Sequence, residues 1–134
     1  MTIKEIILDD TTEPIDTKVS RVLRECNICV GLTGYKYLKT AIQLAFAEKS
    51  VIEITKDIYP YIAAKESVSP TSVERCIRNA IDKAWALQKE LPSEIIEYLF
   101  KYSKCNGKYR PTNTVFIESI AEEIRLYCRL SKYL

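Results

Sequence analysis

Four side chains with recognition chemistry fall within six consecutive positions: Glu74, Arg75, Arg78 and Asn79. Arginine can donate two parallel hydrogen bonds to the O6 and N7 of guanine. Asparagine can pair with the N6 and N7 of adenine, and glutamate can accept from the N4 of cytosine. Glu74 and Arg78 are also four positions apart, so on a helix they can pair with each other. Just upstream, Ser69, Thr71 and Ser72 offer hydroxyls and, at a helix start, free amides suited to phosphate. Lys65 lies before them. A basic cluster of Lys101, Lys104, Lys108 and Arg110 follows later in the chain. In that cluster Lys108 and Arg110 are candidates for further phosphate contacts, and a solvated loop is the competing reading.

Bond-making chemistry has less support. The chain contains no histidine, the commonest general base near neutral pH. No glycine-rich phosphate loop or nucleophile elbow occurs. Cys26 and Cys29 have the spacing of a zinc knuckle, but zinc takes four ligands, and Cys76, Cys105 and Cys128 stand singly. Three apart on a helix, Cys26 and Cys29 read better as small apolar side chains. Tyr35, Tyr37, Tyr59, Tyr61 and Tyr98 sit in or beside apolar helical stretches, which suits core packing with the hydroxyl at the rim. The expectation is a non-enzyme with no metal and no cofactor.

To present residues 74–79 to a partner, the chain must hold them on the outward side of a helix. Ser69 is a suitable N-cap and Pro70 a suitable first helical residue, and the periodicity carries the helix to about residue 88. At roughly 100° per position, Val73, Ile77, Ala80 and Ala84 share a narrow sector, with Cys76 and Ile81 at its edges. Thr71, Arg75, Arg78, Asn79 and Asp82 fall opposite, and Glu74 lies at the border. A short helix over 61–66 and a polar turn precede it. This is the outline of a helix-turn-helix, whose second helix packs one face on the core and leaves the other free for the major groove.

The remaining elements are also helical. One helix is expected over 17–30, capped by Asp16 or Thr17 and followed by Gly31. A second, capped by Thr33, covers 35–49. Residues 51–59 continue it or form a short helix of their own, and Pro60 resets the chain. A helix begins at Pro92 or Ser93 and runs to about residue 102, and Asn106-Gly107 marks a turn. Thr112 caps a last helix over 113–131. The sum is an all-α bundle of about six helices, with no place for a parallel sheet. Residues 1–16 read as an acidic leader, in which Ile3, Ile6, Ile7 and Leu8 form a short strand or dock on the body. The helical domain is expected over 17–134.

Size and composition agree with one folded domain. The chain has 134 residues, 47% of them hydrophobic, which argues against disorder. The net charge of +2 is too small to mark a nucleic-acid binder by itself. It is unevenly spread, because Glu5, Asp9, Asp10, Glu13 and Asp16 face only Lys4 in the leader, so the body is mildly basic. No basic-then-apolar start marks a secretory signal, and no apolar run reaches membrane-spanning length. A cytoplasmic location with free thiols is the expectation.

Several segments, in order, resemble the C-terminal effector domain of the stage-zero sporulation protein A family. Gly34-Tyr35-Lys36-Tyr37-Leu38-Lys39 with Ala41-Ile42 is similar to the family's second helix. Ile54-Thr55-Lys56-Asp57-Ile58-Tyr59-Pro60 with Ile62-Ala63 resembles the approach to its helix-turn-helix. Ser72-Val73-Glu74-Arg75-Cys76-Ile77-Arg78-Asn79-Ala80-Ile81, then Ala84-Trp85, resembles its recognition helix. Arg110-Pro111-Thr112-Asn113 with Phe116-Ile117 resembles the start of its last helix. The likeness spans about residues 17–130.

The resemblance implies an all-helical effector domain that binds duplex DNA sequence-specifically and regulates transcription. It implies a second copy on tandem sites and RNA polymerase as further partners. Glu74, Arg75 and Arg78 match family positions that face bases or phosphates. Ser72 stands where the family has a basic residue, and Asn79 where it has histidine, so phosphate attraction should be weaker and base preference altered. Residues 1–16 are also too few for the family's phosphoacceptor receiver domain. These departures motivate a second expectation, a protein-interaction module of the same fold that has lost operator binding and modulates a full-length relative.

Overall fold

The computed structural model describes residues 1–47, 53–101 and 110–132. Among them the regular structure is all helical. The elements are α1 (Ile3–Asp9), α2 (Ile15–Glu25), α3 (Thr33–Ala47), α4 (Tyr59–Glu66), α5 (Pro70–Ala86), α6 (Glu94–Phe100) and α7 (Asn113–Ser131). A π-helical turn, Ile54–Ile58, leads directly into α4. Seven α-helices among the described residues exceed the six expected, and the addition is α1.

A helix stands where a short strand was one expectation, and it docks on the body, as the other expectation had it. Thr2 and Glu5 form a capping box: the Glu5 amide donates to the Thr2 hydroxyl at 3.1 Å, and the Thr2 amide donates to the Glu5 carboxylate at 3.1 Å. Those hydrogen bonds hold the Glu5 carboxyl below its usual range. Ile3, Ile6 and Ile7 are buried, at i, i+3 and i+4, against α7 and α2. A seven-residue helix is too short to persist alone. Burial of its isoleucines, about 1.5–3 kcal/mol each, is what orders it. The leader's acids are engaged as well: Arg21 meets Glu13 at 3.0 Å and Asp9 at 3.7 Å, and Lys39 meets Asp16 at 2.9 Å. Buried Lys18 donates to the Ile7 carbonyl at 2.5 Å, capping the last turn of α1.

α2 stops at Glu25, short of the expected residue 30. Asn27 takes the left-handed conformation, φ 63°. The Ile28 amide then donates back to the Leu23 carbonyl and the Asn27 amide to the Arg24 carbonyl, both at 3.0 Å. This is a Schellman termination, reached four residues before Gly31, and it turns Ile28 into the core. α3 occupies the centre and touches α2, α4, α5 and α7. Its Gly34 lies so close to α5 that a Cβ there would sit 2.2 Å from the Cys76 carbonyl oxygen. The end of the expected 35–49 helix, the start of the 51–59 segment and the Asn106-Gly107 turn lie outside the described residues.

α6 is shorter than expected and starts at the buried cap Ser93, whose hydroxyl accepts from the Ile96 amide at 3.2 Å. α7 has the expected bounds, with the Thr112 hydroxyl accepting from the Val115 amide at 3.2 Å. Trp85 of α5 closes one end of the core, edge-on to Phe100 at 5.6 Å and to Phe116 at 6.3 Å.

Candidate nucleic-acid interface

α4, a three-residue turn and α5 form the helix-turn-helix outline. The turn is made by Ser67 in the left-handed conformation, φ 57°, which lets the Val68 amide return to the Ala63 carbonyl at 3.0 Å. Ser69 then caps α5, its hydroxyl accepting from the Ser72 amide at 3.1 Å. That hydroxyl keeps its own proton for donation, and the Thr71 amide in the first turn has no partner within the helix.

The two faces of α5 separate as the periodicity requires. Val73, Ile77, Ala80, Ile81 and Ala84 are buried. Thr71, Arg75, Arg78, Asn79 and Asp82 are exposed, and Ser72 and Glu74 are half-buried. Among the described residues no hydrogen bond or ion pair holds Arg75 or Asn79. Arg78 is engaged: its guanidinium grips both carboxylate oxygens of Glu74. That partner raises the Arg78 pKa above its usual value. The pair is solvent-exposed, so exchanging it for another acceptor costs little. Lys65 lies exposed in the last turn of α4, on the approach to Ser69.

Arg110 is positioned differently from the other candidate phosphate contacts. It is largely covered, its side chain 17% exposed. Its guanidinium meets Asp82 on α5, the Pro111 carbonyl at 2.6 Å and the Asn113 side-chain oxygen at 3.2 Å. Lys108 lies outside the described residues. A polar cleft opens beside α5 where Thr55, Glu74 and Arg78 face Arg110, Thr112 and Thr114.

The family model of the sporulation initiation factor Spo0A C terminal matches residues 19–124. The chain belongs to this family. Spo0A C-terminal domains are DNA-binding effector domains of a response regulator that acts in transcription and sporulation. The all-helical fold described above is the family's. Among the described residues no helix is long and apolar enough to cross a membrane.

Sequence reasoning missed three features of this family member's site. Asn113 was legible as the start of α7 but not as a buried junction, where its amide donates to the Glu74 carbonyl at 3.0 Å and to the Tyr59 hydroxyl at 3.3 Å. Asp82 reads as one more polar residue on the exposed face until Arg110 is seen against it. Gly34 gives no local signal, since α3 has no turn there. The cysteine pair divides: Cys26 is buried, and burial pushes its thiol up to about 12, whereas Cys29 is exposed.

Proposed function

We propose that this domain binds duplex DNA sequence-specifically and regulates transcription, with α5 lying in the major groove as the recognition helix. The observation that carries the reading is the outward side of α5. Among the described residues it presents Arg75 and Asn79 with no hydrogen-bond or ion-pair partner, next to an Arg78 held by its exposed pair with Glu74. The opposite side of the helix packs on the core, and arginine and asparagine are the side chains that read guanine and adenine bidentately. Glu74 reads a base or orients Arg78 toward one. Ser69, Thr71, Ser72 and Lys65 meet phosphates at the helix start and fix the register. A second copy on a tandem site, and RNA polymerase, are the partners proposed beside DNA, and the nucleoid is the place of action.

The test uses the duplex best retained from a randomised pool and a scrambled version of it, each titrated at two salt concentrations. Tighter binding to the selected duplex is expected, with the preference reduced about tenfold or more in Arg75→Ala and in Arg78→Ala. Equal, weak binding to both duplexes, unmoved by either substitution, would overturn the reading in favour of a protein-interaction module.

A further inference from the structure

The segment leading into α7 holds α5 at two separate points. Asn113 is 7% exposed and makes three hydrogen bonds: to the Tyr59 hydroxyl at 3.3 Å, to the Glu74 carbonyl at 3.0 Å, and from the Arg110 guanidinium at 3.2 Å. Tyr59 opens α4, so one buried amide joins both helices of the helix-turn-helix to α7. Arg110 extends the same network to Asp82, eight residues further along α5. At about 1.5 Å per residue the two anchor points stand roughly 12 Å apart along the helix axis.

Two directional anchors at that separation add rotational restraint to the packing of the apolar face. Val73, Ile77, Ala80, Ile81 and Ala84 attract α5 to the core, but apolar burial is non-directional and constrains rotation only through shape. Hydrogen bonds from a satisfied, buried amide do fix rotation. The anchored carbonyl also belongs to Glu74, whose carboxylate holds Arg78. The chain of contact therefore runs from Asn113 through the Glu74 backbone to a base-reading guanidinium.

We infer that Asn113 and Arg110 are positioning residues that set the rotation of the recognition helix, so that base discrimination depends on side chains that touch no base. This rests on the DNA reading above and assigns Arg110 to Asp82 and Asn113 rather than to a phosphate. It predicts a particular split. Removing the anchors should lower preference for the correct sequence while leaving the sequence-independent, salt-dependent attraction to phosphate in place.

The experiment compares wild type with Asn113→Asp and Asp82→Asn. Asn113→Asp keeps an acceptor for Arg110 but removes the donor to Glu74. Asp82→Asn alters an exposed side chain and leaves the core intact. Two readouts are taken: the affinity ratio between selected and scrambled duplex, and hydrogen exchange of the α5 backbone without DNA. The expected result is a ratio lowered about tenfold in Asn113→Asp and about threefold in Asp82→Asn. Asn113→Asp also adds a negative charge, which should weaken binding to both duplexes by a common factor, so the ratio and not the absolute affinity is read. Its salt slope should stay near wild type, and α5 exchange should quicken. Losing the Asp82 charge could strengthen binding to both duplexes, but a purely electrostatic gain leaves the ratio unchanged and would overturn the inference. So would unchanged exchange across α5 in Asn113→Asp. Should wild type itself fail to discriminate, the DNA reading falls with the role in base selection, and the exchange result alone decides whether the anchors hold the helix.

Discussion

Replacing Gly34 by alanine tests the seat of α5 from its other side. The added Cβ would lie 2.2 Å from the Cys76 carbonyl oxygen and 2.8 Å from the Ala80 Cβ, well inside contact distance. The nearer atom is backbone within α5 and cannot rotate away, so α3 and α5 must separate by about an ångström, and a close-packed interior transmits such a shift. Overpacking of this kind costs about 1–3 kcal/mol. Against it, alanine is the better helix former by about 0.5–1 kcal/mol. The carbonyl contact places the steric cost at the upper end, which leaves a net loss of about 2 kcal/mol. Urea unfolding followed by far-ultraviolet circular dichroism should show the midpoint fall by about 1 M, for a slope of about 2 kcal/mol per molar. Adding Ala80→Gly should not restore it, because the shorter contact is to the Cys76 carbonyl. A midpoint that holds or rises in Gly34→Ala, or one rescued by Ala80→Gly, would refute the reasoning.

Three further outcomes follow from the same packing. Ile6→Ala, at a fully buried position of α1, should cost about 2–5 kcal/mol in urea unfolding, whereas a dispensable leader would show no loss. Ser67→Gly should raise stability by about 0.5–1 kcal/mol, since glycine takes the left-handed conformation without the penalty serine bears, and a loss in the same assay would count against that account of the turn. The raised thiol of Cys26, about 12 when folded against about 9 when free, means that the folded state keeps a proton the unfolded chain releases. Its contribution is whole below about pH 9 and declines as pH rises toward 12, at about 1.4 kcal/mol per pH unit. Stability measured between about pH 8.5 and 10 should therefore decline less steeply in Cys26→Ala than in wild type.

The elements whose signals are local were readable before the fold was known. α5 and α7 announce themselves through Ser69-Pro70 and Thr112, caps that act within three residues, and through a period that depends only on helix geometry. The sorting of α5 into buried and exposed faces follows from the same geometry. Helix ends with two candidate stops were less legible. Asn27 and Gly31 can both take a left-handed residue's place, and what selects Asn27 is the burial of Ile28, a tertiary matter. α1 carried the right spacing and the Thr2–Glu5 capping pattern, but a seven-residue segment is too short to hold a helix until α7 is there to receive its isoleucines. Within the site, the exposed residues Arg75, Arg78 and Asn79 were visible because exposure on a helix is periodic. The engagement of Arg110 and Asn113 was not, because their partners lie 28 and 39 positions away.

Trp85 is the chain's single tryptophan. It stands one residue from the end of α5, edge-on to two phenylalanines contributed by α6 and α7. The molecule thus carries one indole, which can be excited at wavelengths where its nine tyrosines do not absorb, at the far end of its candidate reading helix and outside the face proposed to meet DNA. Its emission reports the indole's local polarity, and its quenching reports solvent access at that end of the core. A roll or lift of α5 would be visible in unlabelled protein, separately from any change at the arginines.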